Sequence, residues 1–261
     1  MSEVILQLQD VRVGFGDGPD VLDRFDLSVA AGEFVTLVGP SGCGKSTALN
    51  MAAGLLRPRS GTTRFRGEPV TGINTRVGYM TQEDTLLPWR TVSGNIAMPL
   101  RMRGVRRDEA QRQVDRYLEL LDLSEAAGKF PAQLSGGMKR RALLARSMIY
   151  EPEMLLMDEP FAALDAQLRT QMHVELRRTV RQLGQTVLFV THDVDEAALL
   201  SDRVLVLGGG PPARTIAEID IPFGDDRELE SLRYSERFAP VVREVHDALQ
   251  QARHRDGEVA A

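Results

Sequence analysis

One segment restricts the fold more than any other. Residues 34–38 (FVTLV) form a short, mainly apolar run, and residues 39–47 (GPSGCGKST) follow without a break. Such a run reads as a strand buried on both faces. The glycine-rich segment matches G-x-x-x-x-G-K-[ST] in full. It opens a helix extending to about Ala53, with Gly54 as its C-cap. Strand, loop and helix in that order present backbone N–H groups to a phosphate, and the helix N-terminus adds its dipole. Gly39, Pro40, Ser41, Gly42, Cys43, Gly44, Lys45, Ser46 and Thr47 are therefore candidate phosphate-binding residues. Among them, Lys45 is expected to reach the outer phosphates and Ser46 to offer its hydroxyl to Mg2+.

The rest of the chain fits an α/β fold with a largely parallel sheet. Residues 4–13 (VILQLQDVRV) alternate apolar and polar, as a half-buried strand does, and a second strand is expected over 21–29. Short strands follow at 62–65, 77–80, 154–157 (MLLM), 186–190 (TVLFV) and 204–207. Between about 82 and 150 the character is helical. Ala110, Val114, Tyr117, Leu118 and Leu121 recur at the helical period over 107–121. Helices are also expected over 167–183, ending at Gly184, and over 193–200. After the turn at Gly208–Pro212, the C-terminal segment of about 222–255 reads as a helical extension, with Phe238, Val242, Val245 and Leu249 on one face. No internal repeat or low-complexity tract divides the chain, so one domain over 1–261 is expected.

Two acids end the strand at 154–157: Asp158 and Glu159. In a parallel sheet, ligands gather beyond the carboxyl ends of the strands. That places Asp158 near the metal of the phosphate loop, and Glu159 where a base can reach a water attacking the terminal phosphate. His192 follows strand 186–190 in an equivalent position, as a candidate phosphate contact. Gln82 follows strand 77–80 and is placed to touch the metal or the attacking water.

Composition removes other classes. With 32 basic and 37 acidic residues the formal charge is -5, which argues against a nucleic-acid partner. Cys43 is the single cysteine, so no intrachain disulfide forms, in keeping with a reducing compartment. No apolar run approaches the ~18 residues of a membrane span, and the first residues lack a secretory pattern. A soluble cytoplasmic protein is expected, with docking onto a membrane protein left open.

Together these motifs resemble the ATP-binding subunit of ABC transporters over about residues 4–210. GPSGCGKST resembles Walker A, Gln82 the Q-loop glutamine, LSGGM (134–138) the signature, and MLLMDEP Walker B with its catalytic glutamate. Ala163-Leu164-Asp165 resembles the D-loop and His192 the switch histidine, while Phe15 stands where the family stacks an aromatic on adenine. The resemblance implies a P-loop ABC ATPase fold with an N-terminal antiparallel β subdomain and a helical insertion. It implies ATP and Mg2+ as ligands, with Ser46, Gln82 and Asp158 at the metal. It implies a head-to-tail dimer in which Ser135, Gly136 and Gly137 face ATP bound by a second copy. Arg140, Ala162 and Phe15 depart from the family's usual Gln, Ser or Gly, and Tyr.

Residues 85–92 (TLLPWRTV) further resemble the importer branch for nitrate, sulfonates and taurine. In that branch the stretch faces the transmembrane permease, with a periplasmic binding protein beyond it, at the cytoplasmic face of the inner membrane. Trp89, the single tryptophan, then anchors the contact; packing against the insertion's own helices is the alternative. Arg101, Arg103, Arg106 and Arg107 are a solvated face or a contact with lipid or permease. Other readings are another importer or an exporter, a soluble mechanical ATPase of this type, or a cassette that does not hydrolyse.

Overall fold

The computed structural model describes residues 3–16, 18–210, 212–224 and 227–259 of the 261-residue chain, with side-chain surroundings to residue 253. Strands β1 (Val4–Gly14) and β2 (Asp20–Ala30) pair antiparallel. β3 (Phe34–Val38) leads through the glycine loop into α1 (Lys45–Ala52). Gly54, at φ 69°, ends that helix in the left-handed conformation. β4 (Ser60–Phe65), β5 (Glu68–Pro69) and β6 (Val77–Met80) follow. The helical stretch contains α2 (Val92–Ile96), α3 (Met98–Met102), α4 (Arg107–Leu120) and α5 (Gly136–Met148). Then come β7 (Met154–Asp158), α6 (Ala166–Leu183), β8 (Thr186–Val190), α7 (Val194–Leu200), β9 (Arg203–Gly208) and β10 (Arg214–Asp220). Helices α8 (Leu229–Leu232) and α9 (Phe238–Val259) end the described chain.

Two sheets organise these elements. One is antiparallel, in the order β2-β1-β4-β5; the other runs β10-β9-β3-β8-β7-β6. In the second sheet β9, β3, β8, β7 and β6 are parallel, and β10 is an antiparallel edge strand. Strand periodicity divides the core. Met154 and Leu156 of β7 face a cluster shared with β1, β2 and α1, whereas Leu155 and Met157 face the helices on the other side. A sheet covered on both faces explains why β3, β7 and β8 read as continuous apolar runs.

The C-terminal segment is more firmly attached than a polar extension would be. α9 packs on β9 and α7, burying Phe238, Val241, Val245, Ala248, Leu249 and Ala252. Burial of each large apolar side chain of this kind contributes about 1.5–3 kcal/mol. Gly208 permits the contact, since a Cβ there would lie 2.3 Å from the Cβ of Ala252.

β10 escaped the sequence reading. In RTIAEID only Ile219 is buried, because an edge strand exposes most of one face and one side.

Candidate active site

The loop between β3 and α1 closes on itself. Gly44 has φ 96°, and a Cβ there would sit 2.8 Å from Cδ2 of Leu22, so both conformation and space demand glycine. Lys45 is buried and its Nζ donates to the carbonyls of Gly39 (2.9 Å) and Pro40 (2.8 Å). The ammonium therefore lies folded over the loop. α1 begins with neither a side-chain cap nor an acid in its first turn. Its leading N–H groups are free to meet an anion, and the helix dipole favours one. Cys43 is buried within the loop.

α1 packs on β7 and β8, which brings its first turn to the acids at the end of β7. The Ser46 hydroxyl donates to Oδ1 of Asp158 at 3.0 Å. Burial pushes the Asp158 carboxyl above the usual carboxylate range and the Glu159 charge adds to this; the Ser46 hydrogen bond and the Lys45 cation oppose it. A divalent cation relieves a carboxylate held this way. Among the described residues no three His, Cys, Asp or Glu side chains converge as a metal cage. One carboxylate beside one hydroxyl fits Mg2+, which takes most of its ligands from water and phosphate.

Glu159 sits in a conformation uncommon for a residue with a side chain, φ 41°. Its N–H donates to the Val190 carbonyl at 2.9 Å, extending the β7–β8 pairing by one residue. Its carboxylate is 2.9 Å from Nδ1 of His192. The two strand ends thus bring together a carboxylate and an imidazole 33 residues apart in sequence. His192 is mostly exposed, so the pair opens to solvent from the imidazole side.

The other sequence candidates are placed differently. Gln82 is held by its backbone, whose carbonyl accepts from Arg140 at 2.6 Å. No hydrogen bond among the described residues joins its amide to Ser46 or Asp158. Ser135 caps α5, its hydroxyl accepting from the Met138 N–H at 3.3 Å, and Gly136 is exposed. Gly137 is buried, and a Cβ there would lie 2.6 Å from Cδ1 of Leu168, so α5 and α6 cross closely at this point. Asp165 caps α6 through the Leu168 N–H at 3.0 Å. Phe15 is exposed at the end of β1.

The loop carrying Trp89 is held by one buried side chain. Trp89 is 71% exposed, which excludes its packing against the insertion's helices. Below it the fully buried Asn95 accepts from the Leu87 N–H (2.7 Å) and donates to the carbonyls of Leu87, Arg90 and Thr91, each at 3.1 Å. A cavity of about 670 Å3 adjoins, lined by Tyr79, Leu87, Met98, Met102, Arg146 and Tyr150. Nothing in the local pattern singled out Asn95, since its bonds run to backbone atoms.

A model of the ABC transporter family matches residues 22–162. The nitrate import ATP-binding protein NrtD of Synechococcus elongatus is 41% identical over 236 residues, covering 89% of this chain and 86% of the relative. The spermidine/putrescine import ATP-binding protein PotA of Pseudomonas aeruginosa is 40% identical over 225 residues, covering 85% of this chain and 61% of the relative. Among solved structures, the ATP-binding cassette MJ0796, a dimer in a post-hydrolysis state bound to ADP and Pi, superposes with a TM-score of 0.71 at 27% identity. That match covers 83% of this chain and 99% of the other.

Proposed function

Because the chain belongs to the ABC transporter family, as the ATP-binding subunit that hydrolyses ATP, we propose that it powers an importer of a small anionic solute such as nitrate, a sulfonate or taurine. The chemistry rests chiefly on one observation: Ser46 meets Asp158, and His192 meets Glu159, at the mouth of the Lys45 loop. The solute class rests on the likeness to NrtD and on the Trp89 segment. The likeness to PotA keeps a polyamine importer as the competing reading.

In this reading the loop N–H groups and Lys45 hold the β- and γ-phosphates, and Lys45 exchanges the carbonyls of Gly39 and Pro40 for phosphate oxygens. Asp158, Ser46 and Gln82 would hold Mg2+, which supplies charge neutralisation at the phosphates when bound. Glu159 takes the proton of a water as its oxygen bonds to the γ-phosphorus. The bond to the β–γ bridging oxygen breaks and ADP leaves. His192, steadied through Nδ1 by Glu159, turns its other nitrogen towards the γ-phosphate. Phe15 stacks on adenine. The site is completed by a second copy, whose Ser135, Gly136 and Gly137 bring the N-terminus of α5 to the same γ-phosphate. Asp165 lies at that junction. The Trp89 loop and its adjoining cavity receive the permease, at the cytoplasmic face of the inner membrane, and a periplasmic binding protein delivers the solute. No nucleic acid takes part.

The test is co-purification of tagged Glu159→Gln protein from native membranes with ATP. The expected catch is a multi-span permease, with a binding protein for an anionic solute. Capture of a polyamine-binding protein would replace the solute class. Ribosomal or DNA-repair proteins without a permease would overturn the transport reading.

A further inference from the structure

Behind the strand end that carries His192 lies a group of polar side chains that the reading above leaves unused. Arg169, in the first turn of α6, reaches in two directions. Its Nη2 donates to the Leu164 carbonyl at 3.0 Å, within the turn that ends at Asp165. Its Nη1 lies 3.4 Å from Oδ2 of Asp193, the residue that follows His192. Asp193 in turn caps α7, accepting from the N–H groups of Asp195 (2.9 Å) and Glu196 (3.1 Å).

The other neighbour of His192 is pinned as well. The Thr191 hydroxyl donates to Oε2 of Glu196 at 2.6 Å and accepts from the Asp193 N–H at 3.0 Å. Oε1 of Glu196 is 3.0 Å from Nε2 of His173, which is buried in α6 against the edge of Phe161. Glu159, Ala162, Phe161 and Leu164 are linked by successive turn hydrogen bonds. The contacts therefore close a ring: Glu159 to His192, through Asp193 to Arg169, to Leu164, and back along the turn to Glu159. Among the described residues, Arg169 is the side chain that bonds both to the Leu164 carbonyl of the turn and to the residue after His192. Its fork is also not fully used, since Nε is buried without a hydrogen bond, 4.0 Å from Oε1 of Glu196.

We propose that Arg169 is a positioning residue that ties the turn carrying Asp165 to the strand end carrying His192, so that the part of the chain facing a second copy stays in register with the chain's own phosphate site. This rests on the reading that Asp165 and His192 flank nucleotide in a two-copy assembly. An arginine suits the task because its planar fork meets a carbonyl and a carboxylate at once and keeps its charge, whereas an ammonium is a single point of contact.

The test uses full-length protein in the Glu159→Gln background, comparing Arg169 with Arg169→Met and Arg169→Lys. ATP affinity of the monomer is measured by calorimetry at low protein concentration, and ATP-driven dimerisation by sedimentation. Arg169→Met should leave monomer ATP affinity within about twofold and weaken dimerisation by roughly tenfold or more, with Arg169→Lys in between. In chains that keep Glu159, kcat should fall by roughly tenfold or more while KM moves less than about twofold. Dimerisation and kcat within twofold of the parent in Arg169→Met would overturn the inference. So would equal losses of monomer ATP affinity and thermal stability with no recovery in Arg169→Lys, which mark a merely structural role. If the Glu159→Gln parent itself fails to dimerise with ATP, the two-copy reading falls and the inference with it.

Discussion

Two helix N-termini with glycines, those of α1 and α5, differ in what surrounds them. α1 starts without a cap, beneath the Lys45 ammonium, with Ser46 against Asp158. α5 starts with Ser135 capping it and Gly137 packed on Leu168. Both ends attract an anion for the same physical reason. The first has a cation and a carboxylate of its own chain in reach. At the second, the glycine next to the exposed Gly136 serves close helix packing inside the chain. On the proposed reading, the first end is the chain's own phosphate site and the second completes the site of another copy.

The comparison breaks most decisively at the first helix. Lys45→Ala should lower monomer ATP affinity about a hundredfold, since the proposed function gives the buried Lys45 ammonium a charge-assisted bond to phosphate. Glu159→Gln should keep that affinity and cut kcat by at least about a hundredfold, as expected for loss of a general base. Calorimetry and phosphate-release assays separate the two. If Lys45→Ala binds ATP normally, the first end is not the site.

The second helix should respond in the opposite way. Gly137→Ala pushes a methyl against the end of the Leu168 side chain, a cost that alanine's better helix propensity partly offsets, so stability should change by about 1 kcal/mol or less. Monomer ATP affinity should hold within about twofold, while kcat falls roughly tenfold or more. Thermal melts, calorimetry and steady-state rates read these together. A loss of monomer ATP binding would remove the contrast between the two helices.

Arg140 sharpens the comparison at smaller amplitude. It is buried on α5 and bonded to the Gln82 carbonyl, and burial pulls its pKa down. Lys139 reaches Asp84, and Arg146 reaches Thr85, from the same helix. α5 thus grips the segment after β6 through side chains rather than through the nucleotide. Arg140→Gln should change stability by about 1 kcal/mol or less, because it relieves a buried charge while losing one hydrogen bond. Turnover should shift severalfold with unchanged monomer ATP affinity, measured by the same assays.

The smallest effect on the isolated protein is expected at Trp89. Its ring is largely exposed on a loop held from below by Asn95. Trp89→Ala should leave melting temperature and basal ATPase nearly unchanged and lower recovery of the permease in membrane pull-downs. A drop in melting temperature of several degrees would instead assign the ring to folding.

Much of this was legible along the chain. β3, β7 and β8 coincide with apolar runs because a strand buried on both faces has no polar period to confuse it. Gly184 ends α6 at φ 59°, where a left-handed residue stops a helix. The glycine loop, the paired acids and the histidine were visible because their chemistry depends on short spacing or on strand ends.

What stayed hidden depends on partners distant in sequence. β10 owes its existence to the free edge of β9, not to its own weak pattern. Asn95, Arg140 and Arg169 bond to backbone carbonyls, and a carbonyl is the same atom at every residue. No sequence pattern marks which one a side chain will reach. The local chain sets which groups are available, through period and residue type. Packing of the sheet and its helices sets which of them meet, because a hydrogen bond over 33 residues, such as His192 to Glu159, exists only once two strand ends lie side by side.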